Sequence, residues 1–159
     1  MKLKLICVGK LKEAYLVAGV NEYVKRLAPF AKVEILEVAD ERIKDPCSKG
    51  EAERILRAEG ARIGKHLSPG DYVIPLCVEG TPLSSEQLAS TILGAMNAGK
   101  STISFIIGGS LGLSSEIKAR GDLNLSVSRM TFPHQLMRLM LAEQAYRAYK
   151  IIHGHTYHK

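Results

Sequence analysis

The sequence predicts an α/β fold, a mainly parallel sheet with helices on both faces, and three observations predict it. Short apolar runs alternate with segments of helical periodicity along the whole chain. Helix-opening signals, Ser-x-x-Glu and Ser-x-x-Gln, stand between those runs. The connections are long enough to carry a helix from one strand to a parallel neighbour. No internal repeat, low-complexity segment or linker interrupts the pattern, so residues 1–159 read as a single domain.

The elements follow in order. "KLKLICV" (Lys2 to Val8) alternates and then turns apolar, as a strand does. "EAYLVAGVNEYVKRLA" has helical spacing and is closed by Pro29. "KVEILEV" (Lys32 to Val38) is a second strand. "SKGE" (Ser48 to Glu51) is a capping box that opens a helix through His66. "SPGD" (Ser68 to Asp71) is a turn. "YVIPLCV" (Tyr72 to Val78) is apolar enough for a central strand, although its Pro75 has no N–H for a ladder. "SSEQ" (Ser84 to Gln87) opens a helix towards Ala98, and "STISFII" (Ser101 to Ile107) is a fourth strand. A short helix is predicted over 114–120, a fifth strand over "NLSVSRM" (Asn124 to Met130), and a last helix from Pro133 to about Ile152.

Composition narrows the class. The chain is 46% hydrophobic, which suits a packed core. No apolar run reaches the ~18 residues of a membrane helix, and the N-terminal run is too short for a signal peptide. The three cysteines, Cys7, Cys47 and Cys77, lack metal or redox spacing, and Cys7 and Cys77 read as small buried hydrophobes. These features predict a cytoplasmic protein with no membrane and no metal. The net charge of +6 favours a polyanionic partner.

Two short motifs compete for attention. "GAMNAGKS" (Gly94 to Ser101) matches the phosphate-binding P-loop pattern. A P-loop needs a strand before it and a helix after it, whereas here a helix precedes and a strand follows. The segment therefore reads as a helix C-terminus closed by Gly99. "GGSLG" (Gly108 to Gly112) matches the nucleophile elbow of serine hydrolases, with Asp122 and His134 downstream in the right order. Against it, the next helix is expected to begin near Ser114 and not at Ser110, and no upstream oxyanion loop is present. The glycines then serve to bring backbone close to a ligand. The tail histidines, His153, His155 and His158, have no cysteine beside them and read as a basic tail.

Three segments follow three strand ends: "LCVEG" (Leu76 to Gly80), "IGGSLGL" (Ile107 to Leu113) and "VSRMTFPHQLMR" (Val127 to Arg138). Ligands of open α/β sheets bind at such carboxyl ends. Leu76, Met130 and Phe132 offer apolar walls and the glycines offer backbone groups, a combination that suits an adenine ring.

"IIGGSLGL", "SVSRMTFPHQLMRLMLAEQAYRA" and the terminal "HTYHK", in that order and together with the start "MKLKLICVGK", closely resemble the RlmH family. Those are SPOUT-class methyltransferases of 23S ribosomal RNA. The resemblance runs the whole chain, with serine and leucine in "GGSLGL" where proline and glutamate are frequent. It implies a SPOUT-type fold with a C-terminal trefoil knot, a homodimer with the site near the interface, and S-adenosylmethionine as methyl donor. The implied acceptor is N3 of a pseudouridine of 23S rRNA in the assembled ribosome. Cofactor contacts are implied at Leu76, Gly108, Val127, Ser128, Arg129, Met130, Thr131 and Phe132. Arg147, Tyr157 and His158 are implied on the acceptor side: His158 as base for the imide proton, Arg147 facing the developing anion or a phosphate, and Tyr157 stacking on the base. A serine hydrolase built on Ser110 and a non-catalytic RNA-binding protein of the same fold are the alternatives.

Overall fold

A computed structural model of the chain describes residues 1–158. β1 (Lys2–Val8) is the spine of its sheet, and from Leu3 onward every side chain of that strand is buried. A strand buried on both faces needs the near-continuous apolar run found there. β2 (Lys32–Val38) pairs with one side of β1 and β4 (Thr102–Ile107) with the other, both parallel. β3 (Tyr72–Pro82) lies beyond β4, and the two-residue β5 (Leu125–Ser126) beyond β3. The order is β2-β1-β4-β3-β5, with all strand pairs parallel. β2, at the edge, carries the exposed charges of "KVEILEV".

Alternate residues of the central strands feed two cores. Leu3, Leu5, Cys7, Ile103 and Phe105 pack towards α1 (Ala14–Leu27), α3 (Ser85–Asn97) and α5 (His134–Ile152). Ile6, Val8, Val73 and Ile106 face α2 (Lys49–Gly64) and α4 (Ser115–Ala119) through Ile63 and Ile117. Helices therefore cover both faces, as the period of two requires.

Local signals set the boundaries. The Ser84 hydroxyl accepts from the Gln87 N–H at 3.2 Å and Gln87 answers to the Ser84 N–H at 2.8 Å, a complete capping box for α3. At α2 only half of the expected box forms: Ser48 accepts from Glu51 N–H, while the Glu51 carboxylate turns to Arg54. α3 ends in a Schellman motif, with Gly99 at φ +81° and N–H bonds from Gly99 to Met96 and from Lys100 to Ala95. "GAMNAGKS" is thus a helix stop at the negative end of the helix dipole.

Two expectations need correcting. The fifth strand is not seven residues but two. The Ser128 hydroxyl accepts from the Met130 N–H at 3.0 Å, and this small turn draws residues 127–132 out of the sheet. Cys77 is half-buried, not a core residue, because β3 has already parted from β4 after Pro75. The missing N–H of Pro75 coincides with that parting.

Candidate functional site

The carboxyl ends of β3, β4 and β5 and the start of α5 enclose a cavity of about 720 Å³. That lies within the range of small-molecule sites, roughly 300–1,000 Å³. Its floor is the glycine loop after β4. The Gly112 N–H donates to the Gly109 carbonyl at 3.0 Å, folding 109–112 into a tight turn. Gly108 is so close to that turn that an added Cβ would stand 2.4 Å from the Gly112 oxygen. Behind the loop lies Glu59 of α2, 4% exposed, whose carboxyl accepts from the Glu41 N–H at 2.9 Å. Burial, foremost, pushes that carboxyl above its ordinary range.

Of the residues expected to hold the cofactor, Leu76, Gly108, Val127, Ser128, Met130, Thr131 and Phe132 line this cavity. Arg129 does not line it and is exposed. Met130 sits at the rim, 70% exposed. Cys77, His134 and Met137, which lie in the segments expected at the strand ends but were not singled out as contacts, line it as well. The His134 imidazole is held below its ordinary range, chiefly by burial and then by the Arg138 guanidinium. An ion pair between Lys118 and Glu79, both lining residues, sits at the cavity. Apolar walls with backbone groups between them fit an adenosine-bearing cofactor. In the structure Leu76, Val127 and Phe132 provide the first, and the glycine loop and the 128–131 turn the second.

Arg138, 2% exposed, anchors this end of α5. It donates to the carbonyls of Val8 and Gly9 at 2.9 and 2.7 Å and to the Glu37 carboxylate at 2.7 Å. The start of α5 is thereby tied to the ends of β1 and β2.

The residues that the resemblance assigns to the acceptor side form a second cluster at the far end of α5. Glu143 receives Arg147 through Nε at 3.0 Å and Nη2 at 2.5 Å, and the Tyr157 hydroxyl at 3.1 Å. The Arg147 guanidinium lies over the Tyr157 ring, 4.8 Å from its centre. Burial first, then the contacts with Tyr23 and Glu143, push the Tyr157 phenol up to about 12, so it stays neutral. His158 turns Nδ1 towards Arg147 at 3.4 Å and Nε2 towards Glu86 at 2.6 Å. The sequence reading missed Glu143 and Glu86. Glu143 is visible in the sequence as the i,i+4 partner of Arg147; Glu86, 72 residues from His158, is not.

Arg147, Tyr157 and His158 are therefore brought together, but not at the cavity. Arg147 stands thirteen residues beyond His134 on one helix, about 20 Å along its axis at ~1.5 Å per residue. Between the two ends runs a groove of about 600 Å³ lined by Leu136, Leu139, Met140 and Leu83.

The hydrolase constellation is not assembled. Ser110 is exposed in the tight turn, and α4 starts only at Ser115. Asp122 is bound into β3, accepting from the Val73 N–H at 2.7 Å. The tail histidines have separate polar partners: His153 faces the Tyr149 carbonyl, His155 faces Lys150 and His158 faces Glu86, while the His153 and His155 rings both pack on Phe30. Among the described residues no group of three or more His, Cys, Asp or Glu is placed to hold a metal ion. No described helix is long and apolar enough to cross a membrane.

A parallel sheet with a glycine-loop cavity at its carboxyl edge, closed by a C-terminal helix, defines the class: the family model for a "Predicted SPOUT methyltransferase" matches residues 1–158. A probable methyltransferase from Bordetella pertussis shares the fold, with TM-score 0.55 at 11% identity over 92% of this chain and 95% of that one. A probable methylase family protein from Haemophilus influenzae gives TM-score 0.53 at 10% identity, over 99% of this chain and 70% of that one. Sequence relatives are much nearer. The ribosomal RNA large subunit methyltransferase H of Carboxydothermus hydrogenoformans is 50% identical, and that of Streptococcus agalactiae 53%, each over the full length of both chains. The chain belongs to the RlmH family of SPOUT methyltransferases.

Proposed function

We propose that this protein, acting as a single domain, transfers a methyl group from S-adenosylmethionine to N3 of a pseudouridine in 23S ribosomal RNA. The proposed setting is the cytoplasm and the substrate is the assembled ribosome. One observation carries the reading. All the residues that the resemblance assigns to the cofactor, save Arg129, wall one cavity of suitable size, in a chain half identical to proteins named for rRNA methylation. A net charge of +6 suits a polyanionic substrate.

When bound, S-adenosylmethionine supplies an electrophilic methyl group. Leu76, Val127 and Phe132 would hold its apolar part, and backbone groups of Gly108 and the 128–131 turn would meet its polar groups. His158 takes the imide proton, Arg147 faces the charge that this leaves on the acceptor, and Tyr157 stacks on the base.

The separation of Arg147 from the α5 residues that line the cavity, about 15 Å from Met137 and about 20 Å from His134 at ~1.5 Å per residue, bears on assembly. Proton acceptor and methyl donor must meet at one atom, so we infer a homodimer in which the cluster of one protomer serves the cavity of its partner. The half-buried Leu136, Leu139 and Met140 are the face that the second copy covers. We also infer that the C-terminal part carries the trefoil threading that the resemblance implies.

Co-expressed Gly108→Ala and His158→Ala protomers test this reading, with methyl transfer to 70S ribosomes as readout. Each variant alone is expected to be inactive. In a mixed dimer one site carries both lesions and the other neither, so a statistical mixture regains about a quarter of wild-type activity. No recovery means that the site lies within one protomer.

A further inference from the structure

We propose that Glu86 is a positioning residue for His158: from the first turn of α3 its carboxylate holds the imidazole by Nε2 and balances the charge that His158 gains on taking a proton at Nδ1. The inference rests on the methyl-transfer reading and adds to it a residue which that reading does not use.

The two contacts of His158 fix its tautomer. An ionised Glu86 can only accept, so Nε2, 2.6 Å away, carries the hydrogen. A guanidinium can only donate, so Nδ1, 3.4 Å from Arg147, carries the lone pair. The Arg147 contact is long and leaves that lone pair open to a better donor, such as the imide N–H of a base. Carboxylate–imidazole pairs orient bases in this way wherever a ring must present one nitrogen.

Charge makes the same point. Among the described residues, Glu86 from α3 and Arg147 from α5 contact His158; Glu143 of α5 stands behind Arg147, and Tyr157, which touches Tyr23 of α1, is its chain neighbour. Arg147 is already neutralised by Glu143 through two bonds. The tyrosine stays neutral, so an imidazolium at His158 is balanced by Glu86 alone among these groups. Glu86 is kept ionised by the Ser84 hydroxyl first, then by a backbone N–H and His158, which bring its carboxyl down to about 2. The start of α3 is itself pinned, since the Ser85 hydroxyl donates to Gln144 of α5 at 2.7 Å. The carboxylate therefore sits on a fixed support.

The proton step is simple. The imide N3–H bond breaks, its proton bonds to Nδ1, and the electron pair left on N3 forms the new bond to the methyl carbon as the carbon–sulfur bond breaks, its electron pair going to sulfur, which leaves as a neutral thioether. The imidazolium later returns the proton to water.

Glu86→Ala and Glu86→Gln test the role, read by methyl transfer to 70S ribosomes and by the 15N shifts of the His158 ring, which report the nitrogen that carries the hydrogen. Glu86→Ala removes the acceptor at Nε2, so the two tautomers are expected to mix and the rate to fall several-fold. Glu86→Gln keeps an oxygen that accepts from Nε2 but not the charge, so the tautomer is expected to persist and the rate to lie between those of wild type and Glu86→Ala. A single tautomer and an unchanged rate in Glu86→Ala overturn the proposal, whatever the stability of the variant. A wild-type protein that transfers no methyl group overturns the function reading instead, and the Glu86 role falls with it.

Discussion

Replacing Gly108 by alanine is the sharpest local perturbation of the cavity floor. Its Cβ would lie 2.4 Å from the Gly112 oxygen and 2.6 Å from the Gly112 carbon, where real Cβ contacts do not fall below 3.0 Å. The obstacle is backbone, which cannot rotate away, so the glycine loop must shift by roughly 0.6 Å, the gap between 2.4 and 3.0 Å, in a close-packed setting. Overpacking of this kind costs about 1–3 kcal/mol. At about 2–4 °C per kcal/mol for a chain of this size, Tm should fall by roughly 2–12 °C. A displaced loop also misplaces the cofactor, and displacements near 1 Å can cost ~100-fold in function. Binding of S-adenosylmethionine is therefore expected to weaken at least tenfold. Thermal unfolding and titration calorimetry read both effects. Gly94→Ala is the control: it lies in α3, with nothing within 4 Å of its added Cβ, and should stabilise by about 0.5–1 kcal/mol. A Gly108→Ala protein with wild-type Tm and cofactor affinity would refute the account of the loop.

Other expectations follow from the same geometry. Arg138→Ala leaves Glu37 and two carbonyls without their donor. The cost is about 3 kcal/mol, the low end for a broken buried pair because Glu37 is partly exposed, and thermal melts should show it as a drop of about 6–12 °C. Asp71, bound to Lys4 and Ser104 at 2.9 Å each, is 6% exposed. Burial, the largest influence, raises its carboxyl, but Lys4, the Ser68 N–H and Ser104 together bring it below its ordinary value. The stability it contributes is thus present in full above pH ~4 and lost as pH falls through the lowered folded value. The gap between wild type and Asp71→Asn, measured by urea unfolding, should shrink below that pH; a constant gap would refute the pairing. Burial lifts the Cys7 thiol to about 11, whereas Cys77 lines the cavity. Iodoacetamide at pH 8 should spare Cys7, and S-adenosylmethionine should slow labelling of Cys77.

How much of this was legible in the sequence depends on how local the cause is. "KLKLICV" and "STISFII" announced buried strands because alternation gives way to an apolar run, and "SSEQ" announced a helix start because its bonds close within three residues. The glycine loop was legible as a turn from its place after a strand, and it lines the cavity. "NLSVSRM" misled because alternation reads as a strand, while the Ser128 turn that ends pairing is a competing local bond. Arg129 was carried along in a contiguous run, although consecutive residues of a loop need not face one side. The distance between Arg147 and the cavity follows from helix rise, but only once both ends of α5 are known. The contact of Glu86 with His158 depends on how α3 meets the tail, and no periodicity encodes that.

The measurement that tests the central claim most directly is methyl transfer itself. The protein is incubated with tritiated S-adenosylmethionine and bacterial 70S ribosomes that lack the modification, and the label is mapped by nuclease digestion and mass spectrometry. Label on N3 of one pseudouridine of 23S rRNA, abolished by His158→Ala and by Gly108→Ala, is the expected result. Ribosomes left unlabelled by a protein that still binds the cofactor would contradict the assignment of the acceptor.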